Sequence, residues 1–213
     1  MLDAVLDRAL PPRVGRIAAV GSGPPEGFAW LSRRGEVIGC DVDPLFTRGA
    51  DPSRFVRARA EALPFAAGSF DAVCAFDVLE HLDDDAGALR EMARVAAPGG
   101  AVVITVPAVP SLWGPHDVVN RHRRRYTRRS LRDAFARAGL PGARIHYFNT
   151  LLFPPIAAVR WSGRLLGRRE AGSDFERAPV GGPVLERILG FERHLVGRVP
   201  FPFGVSLVAW LRR

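Results

Sequence analysis

The chain has 213 residues, with 30 Arg, no Lys, 22 Asp or Glu, two Cys and 47% hydrophobic residues. That suits one domain with a sizeable core and excludes a disordered, collagen-like or disulfide-framework protein. The net charge of +8 is uneven, because residues 1–100 hold 11 Arg against 15 acids and residues 101–213 hold 19 Arg against 7 acids. The absence of Lys beside abundant Ala, Arg, Gly and Pro also has the look of GC-rich codon usage. No apolar run approaches the roughly 18 to 20 residues that a membrane-spanning helix needs. The start, Met1-Leu2-Asp3-Ala4-Val5-Leu6-Asp7, is acidic where a secretion signal is basic, so the expected location is the cytoplasm.

In chain order, short β-like runs alternate with helical stretches. Strands are predicted at 16–21, 36–41, 54–58, 70–76, 101–106, 143–149 and 205–210. The run Ala101-Val102-Val103-Ile104-Thr105-Val106 is apolar without alternation, as a strand covered on both faces should be. Residues 83–97 read as a helix with acids in its first turn, with Leu82, Leu89, Met92 and Ala96 on one face and Pro98-Gly99-Gly100 as its stop. Ser130-Leu131-Arg132-Asp133 reads as a capping box opening a helix that runs to Gly139. Such alternation predicts a doubly wound α/β fold, a mostly parallel sheet with helices on both faces. In it Cys40 and Cys74 fall on non-neighbouring strands, about 4.8 Å per strand step apart, beyond disulfide reach.

The first strand runs into Gly21-Ser22-Gly23-Pro24-Pro25-Glu26-Gly27. A glycine turn between strand and helix lets the backbone approach a ligand and points helix N–H groups at an anion or carboxylate. Eighteen residues past Gly23, Asp41 ends the second strand, where a carboxylate can accept both hydroxyls of a ribose. A G-x-G-x-x-G dinucleotide fingerprint wants glycine where Glu26 stands, which counts against a nicotinamide or flavin cofactor.

Four later segments come in order: Ala60-Glu61-Ala62-Leu63-Pro64-Phe65, Phe70-Asp71-Ala72-Val73, Val78-Leu79-Glu80-His81, and Arg94-Val95-Ala96-Ala97-Pro98-Gly99-Gly100. With the glycine turn they resemble the motifs of class I S-adenosylmethionine-dependent methyltransferases, in the small-molecule group similar to the quinone-biosynthesis C-methylases. The resemblance covers about residues 15 to 140. It implies a Rossmann-like sheet of seven strands with the last antiparallel, and S-adenosyl-L-methionine as cofactor. It also implies Gly21 and Gly23 under the methionine part, Asp41 on the ribose hydroxyls, Ala60 and Glu61 beside the adenine, and Asp77 with Val78 to His81 bordering the sulfonium and the substrate. Ala19, Pro25 and Arg59 stand where the family usually has an acid, a glycine and an acid. They motivate an alternative reading, a cofactor-poor relative that keeps the fold as a binding or scaffold module.

Transfer from a sulfonium asks for an in-line acceptor, a dry site and at most one base. His81, His116 and His122 have the unperturbed pKa for that base, and Asp117 is placed to orient one of them. Asp117, Arg124 and Tyr126 belong to a segment, residues 106–127, that resembles a bacterial subgroup of these enzymes and is assigned to the substrate side. The cluster Arg121, Arg123, Arg124, Arg125, Arg128 and Arg129 suits an anion or an anionic membrane surface, or pairs with Asp83, Asp84 and Asp85, with Arg125 structural. It lacks the aromatic interleaving of an RNA-binding surface.

Residues 151–203 read as a helical cap inserted before the last strand of a single domain. One helix, 156–169, aligns Arg160, Arg164 and Arg168 on a stripe opposite Ala158, Val159, Leu165 and Leu166. A second aligns Val184, Ile188, Phe191 and Leu195. Packing on the core is favoured over lying on a membrane surface. No metal site is expected: the two Cys and five His lack ligand spacing, and Glu80-His81 by itself is inadequate.

Overall fold

The computed structural model describes residues 2–47, 51, 53–165, 190–192 and 194–213. In chain order its elements are α1 (Leu2–Ala9), β1 (Arg16–Val20), α2 (Pro25–Phe28), β2 (Glu36–Asp41), α3 (Pro44–Thr47), β3 (Phe55–Arg57) and β4 (Phe70–Phe76). There follow α4 (Asp85–Val95), β5 (Ala96–Pro107), α5 (Pro115–Val119), α6 (Arg128–Arg137), β6 (Arg144–Phe148), α7 (Phe153–Leu165) and β7 (Ser206–Arg212).

Because strand side chains alternate between faces, each central strand feeds two cores. Ala18, Val20, Val73, Ala75, Val102 and Ile104 meet Leu89 and Met92 of α4 and Leu131 and Phe135 of α6 on one face. Ile17, Ala19, Cys74, Val103, Val208 and Trp210 meet Val5 and Leu6 of α1 and Leu31 on the other. The sheet has seven strands in the order β3-β2-β1-β4-β5-β7-β6. β1 pairs in parallel with both β2 and β4, and β4 with β5, while β7 runs antiparallel between β5 and β6. Cys40 and Cys74 are free and buried, on β2 and β4 with β1 between them.

Three boundaries differ from the sequence reading, each for a local reason. α4 ends at Val95, and Pro98-Gly99-Gly100 is not a loop but part of β5, where the register against β4 shifts between Phe70 and Ala72. A Cβ at Gly100 would stand 2.9 Å from the carbonyl oxygens of both Ala97 and Asp71, so the strand crosses there on backbone alone. The capping box of α6 opens at Thr127 rather than Ser130: the Thr127 side chain accepts from the Ser130 N–H at 3.0 Å and Ser130 Oγ accepts from the Thr127 N–H at 2.9 Å. Ser serves at the third helical position in place of Glu.

α7 begins three residues before the predicted helix, and everything from 166 to 189 lies outside the described residues, including Arg168, Val184 and Ile188. The predicted Arg stripe is overturned at Arg160. Its side chain is 8% exposed, donates to the Leu112 carbonyl and stands 3.8 Å from Asp117. A buried carboxylate draws the guanidinium inward. No helix among the described residues is long and apolar enough to cross a membrane.

Removing the Thr127 cap should cost about 1 kcal/mol. Urea denaturation of Thr127→Ala checks this, with α6 starting elsewhere if the stability is unchanged.

Candidate active site

Strands that end together leave their C-terminal edges open at the point where the order reverses, here between β1 and β4. A cavity of about 780 Å³ lies at that edge, lined by Gly21, Gly23, Asp41, Ala60, Glu61, Asp77 and His81, with Val42, Asp43, Phe46, Asn120 and Arg121 among its other walls.

The glycine turn owes its shape to left-handed backbone at Gly21 (φ +61°) and Gly23 (φ +62°), which L residues with a Cβ adopt at a cost. The turn is tied to the end of β2. The Ser22 N–H donates to the Cys40 carbonyl at 3.2 Å, and the Gly23 N–H to Asp41 Oδ2 at 2.8 Å. Asp41 Oδ1 accepts from the Asp43 N–H at 2.9 Å. Each carboxylate oxygen keeps a further lone pair for a ligand.

Across the cavity Asp77 sits at the end of β4 with φ +53°, a strained conformation for a residue with a side chain. Thr105 holds it: the Asp77 N–H donates to the Thr105 carbonyl at 3.0 Å and to its Oγ1 at 3.1 Å, and the Thr105 hydroxyl is 3.2 Å from Asp77 Oδ1. Burial pushes the Asp77 carboxyl above the ordinary range, against the Thr105 bond and nearby cations. Burial does the same to Glu80, with Asp77 adding, and takes it up to about 9.

The chain from 18 to 104 matches a family model described as a methyltransferase domain. An uncharacterized methyltransferase of Mycobacterium sp. (strain JLS) is 35% identical over 108 residues, covering 48% of this chain and 43% of that protein. The ubiquinone/menaquinone biosynthesis C-methyltransferase of Hahella chejuensis is 42% identical over 71 residues, covering 32% and 28%. The Haemonchus contortus phosphoethanolamine N-methyltransferase 2, solved in complex with S-adenosyl-L-methionine, superposes with a TM-score of 0.60 at 15% identity, over 99% of this chain and 51% of that one. Over residues 18–104 the chain is similar to class I S-adenosylmethionine-dependent methyltransferases, the domain model matching 87 of its 213 residues. It spans less than half the length of the curated relatives it matches, and its likeness to the solved structure is one of fold.

The other sequence-nominated residues fall into two groups. His81, His116 and His122 come together, with the ring of His122 4.8 Å from that of His81 and 6.0 Å from that of His116. Among the described residues lining the cavity, His81 is the one histidine. Burial, then His122, lowers its pKa against a backbone hydrogen bond at Arg121, so its imidazole is neutral at pH 7. His116 contacts the Asn120 amide at 3.1 Å.

Of the residues assigned by sequence to the substrate side, Asp117 and Tyr126 are buried and Arg124 is half-buried, and none of the three lines the cavity. Asp117 is fully buried, accepting from Arg125 Nε at 2.7 Å and the Gly114 N–H at 2.8 Å, with His122 Nδ1 at 2.9 Å. Burial works to raise its pKa, but the bonds from Arg125 and His122 win and hold it below the usual carboxylate range. Tyr126 is 2% exposed, its hydroxyl donating to Asp85 at 3.0 Å. Arg124 donates to the Leu82 carbonyl at 2.9 Å. Arg123 pairs with Asp83, and Arg128 donates to the Phe201 carbonyl at 2.9 Å. Much of the predicted anion-binding cluster is therefore spent on internal partners. Arg121 does line the cavity, held there with φ +55°.

The sequence reading missed Phe46, Asp43 and Asn120. Asp43 had a signal, two residues beyond Asp41 on the same strand end; Phe46 and Asn120 had none, since the tertiary fold brings them in.

Two measurements check this geometry. Gly23→Ala meets no atom within 4 Å, whereas a Cβ at Gly21 comes 2.4 Å from Val78 Cγ2, and a β-branched side chain has little freedom to yield. In denaturant unfolding Gly23→Ala should lose about 1 to 2 kcal/mol for its backbone alone and Gly21→Ala clearly more; equal losses would contradict the Val78 contact. Arg125→Met removes the shortest bond to the buried Asp117 carboxylate, leaving His122, the Gly114 N–H and Arg160, and should cost up to about 3 kcal/mol in the same assay.

Proposed function

We propose that the protein transfers a methyl group from S-adenosyl-L-methionine to a small anionic or amphipathic molecule. The observation that carries this reading is the convergence of Gly21, Gly23, Asp41, Ala60, Glu61 and Asp77 on one cavity at the sheet's reversal point. The residues present fit the cofactor: an uncluttered glycine turn for the methionine part, a carboxylate at the end of β2 for two ribose hydroxyls, and Ala60 with Val78 as apolar surface for a ring. Bound there, S-adenosyl-L-methionine supplies an electrophilic methyl on a positive sulfur.

The chain's own residues do the rest. Asp41 orients the ribose while holding the turn. Asp77, fixed by Thr105, borders the reacting centre, and the neutral His81 presents a lone pair at the cavity wall. Positioning supplies most of such a rate enhancement, because the donor is already activated. Arg121 on the cavity wall offers a negative group of the acceptor a partner, Arg59 being paired with Glu61 at 3.3 Å. The described parts of residues 151–203 act as a cap on the substrate side of a single domain, anchored where Glu192 accepts from the Thr150 N–H at 2.8 Å and where Arg160 meets Asp117.

Calorimetric titration with S-adenosylhomocysteine should show saturable binding, and no heat up to millimolar ligand would overturn the reading. Asp41→Ala should weaken that binding by about 1 to 3 kcal/mol, roughly 5- to 150-fold; unchanged affinity would put the ribose elsewhere.

A further inference from the structure

Glu80 has no hydrogen-bond partner for either carboxylate oxygen and is 0% exposed. A buried carboxyl group with no hydrogen-bond partner is costly whichever protonation state it takes. Its neighbours are imidazoles: His122 Nε2 lies 4.0 Å from Glu80 Oε1, and one ligand atom from each of Glu80, His81 and His122 falls within 4.8 Å of the others.

One side of the His122 ring is already occupied. Its Nδ1 faces the Asp117 oxygen at 2.9 Å. That carboxylate also takes Arg125 Nε at 2.7 Å. Nε2 is then the His122 atom turned towards Glu80 Oε1, which has no hydrogen-bond partner, and a cation between them would satisfy both. A carboxylate accepting from the far nitrogen of an imidazole is also how proteins orient and strengthen a metal-binding histidine.

We propose that Glu80, His81 and His122 bind a divalent first-row transition cation such as Zn²⁺. Two imidazoles and one carboxylate suit Zn²⁺, Mn²⁺, Fe²⁺ or Co²⁺ better than Ca²⁺ or Mg²⁺, which prefer oxygen. Three protein ligands leave coordination positions open, the pattern of catalytic rather than structural sites. The site was invisible as spacing, because His122 lies 41 residues from His81. The loop after α5 returns it, with the Arg123 N–H donating to the Glu80 carbonyl at 2.8 Å.

His81 belongs to both the cluster and the cavity wall, so the ion stands beside the space an acceptor would occupy. There it would polarise an acceptor oxygen and ease loss of its proton, leaving His81 to coordinate rather than to act as base. That consequence rests on the methyl-transfer reading; the binding of the ion does not.

The test uses the full chain stripped with a chelator and dialysed against micromolar Zn²⁺, with bound metal measured by elemental analysis and no S-adenosyl compound present. The expected result is one equivalent in the wild type, with affinity at least tenfold weaker in Glu80→Gln and in His81→Asn. His146→Asn and His194→Asn, outside the cluster, should bind like the wild type. Glu80→Gln keeps the size and shape of the side chain and is expected to remain folded, which circular dichroism checks; His81→Asn serves as the second probe. No stoichiometric uptake by the wild type, or wild-type affinity in both cluster variants, overturns the proposal. Loss of S-adenosylhomocysteine binding with Zn²⁺ uptake intact would remove the methyl-transfer reading and leave the metal site standing.

Discussion

The parallel pairing of β1 with β4, in register from Ile17 with Ala72 to Val20 with Ala75, is the constraint on which the rest of the molecule depends. β2 and β3 extend from one side of β1, while β5, β7 and β6 extend from β4. Connections must therefore leave the C-terminal edge in opposite directions, and the gap they leave is the cavity. Gly21 and Asp77 follow the ends of the two paired strands, and both line it. Both adopt positive φ, one without a side chain to strain and the other held by Thr105.

A second dependence runs through Asp117. One fully buried carboxylate takes Arg125, His122 and the Gly114 N–H, and draws Arg160 of α7 towards it. Burying so much charge gains little net stability over an apolar replacement, because desolvation offsets attraction. Its effect is positional. It orients the ring of His122, holds the loop between α5 and α6 against the sheet edge, and couples α7 to the same spot. Tyr126 and Asp85 do comparable work one layer deeper, tying that loop to the start of α4. The basic back half is thus largely structural around Arg123 to Arg128, where Arg123 pairs with Asp83 and Arg124 with Asp85.

Much of the fold was legible because its signals are local. Apolar runs of strand length, a glycine turn and acids at a helix start repeat without regard to distant contacts, and all seven strands fell where such runs predict them. The errors were local as well. Pro98-Gly99-Gly100 carries the residues of a helix stop, yet here it lets β5 begin early and cross Asp71 on bare backbone. Thr127 and Ser130 both qualify as caps, and only the chain direction entering α6 chooses between them. The cofactor-side residues were legible as motifs because each stands at the end of a strand, where sequence position fixes spatial position.

The sequence by itself determined the alternation of strands and helices, the glycine turn with Asp41 beyond it, and the order of motifs that marks a methyltransferase domain. These follow from backbone periodicity and from residues acting within a few positions of one another. Only the tertiary structure decided which charged side chains face inward. Asp117 and Arg160 meet from segments 43 residues apart, Glu80 is left without a partner, and His122 is turned towards it by a carboxylate on its far side. Whether such a group is solvated, paired or poised for a ligand depends on desolvation and on partners distant in sequence, and neither quantity is written in the spacing of residues along the chain.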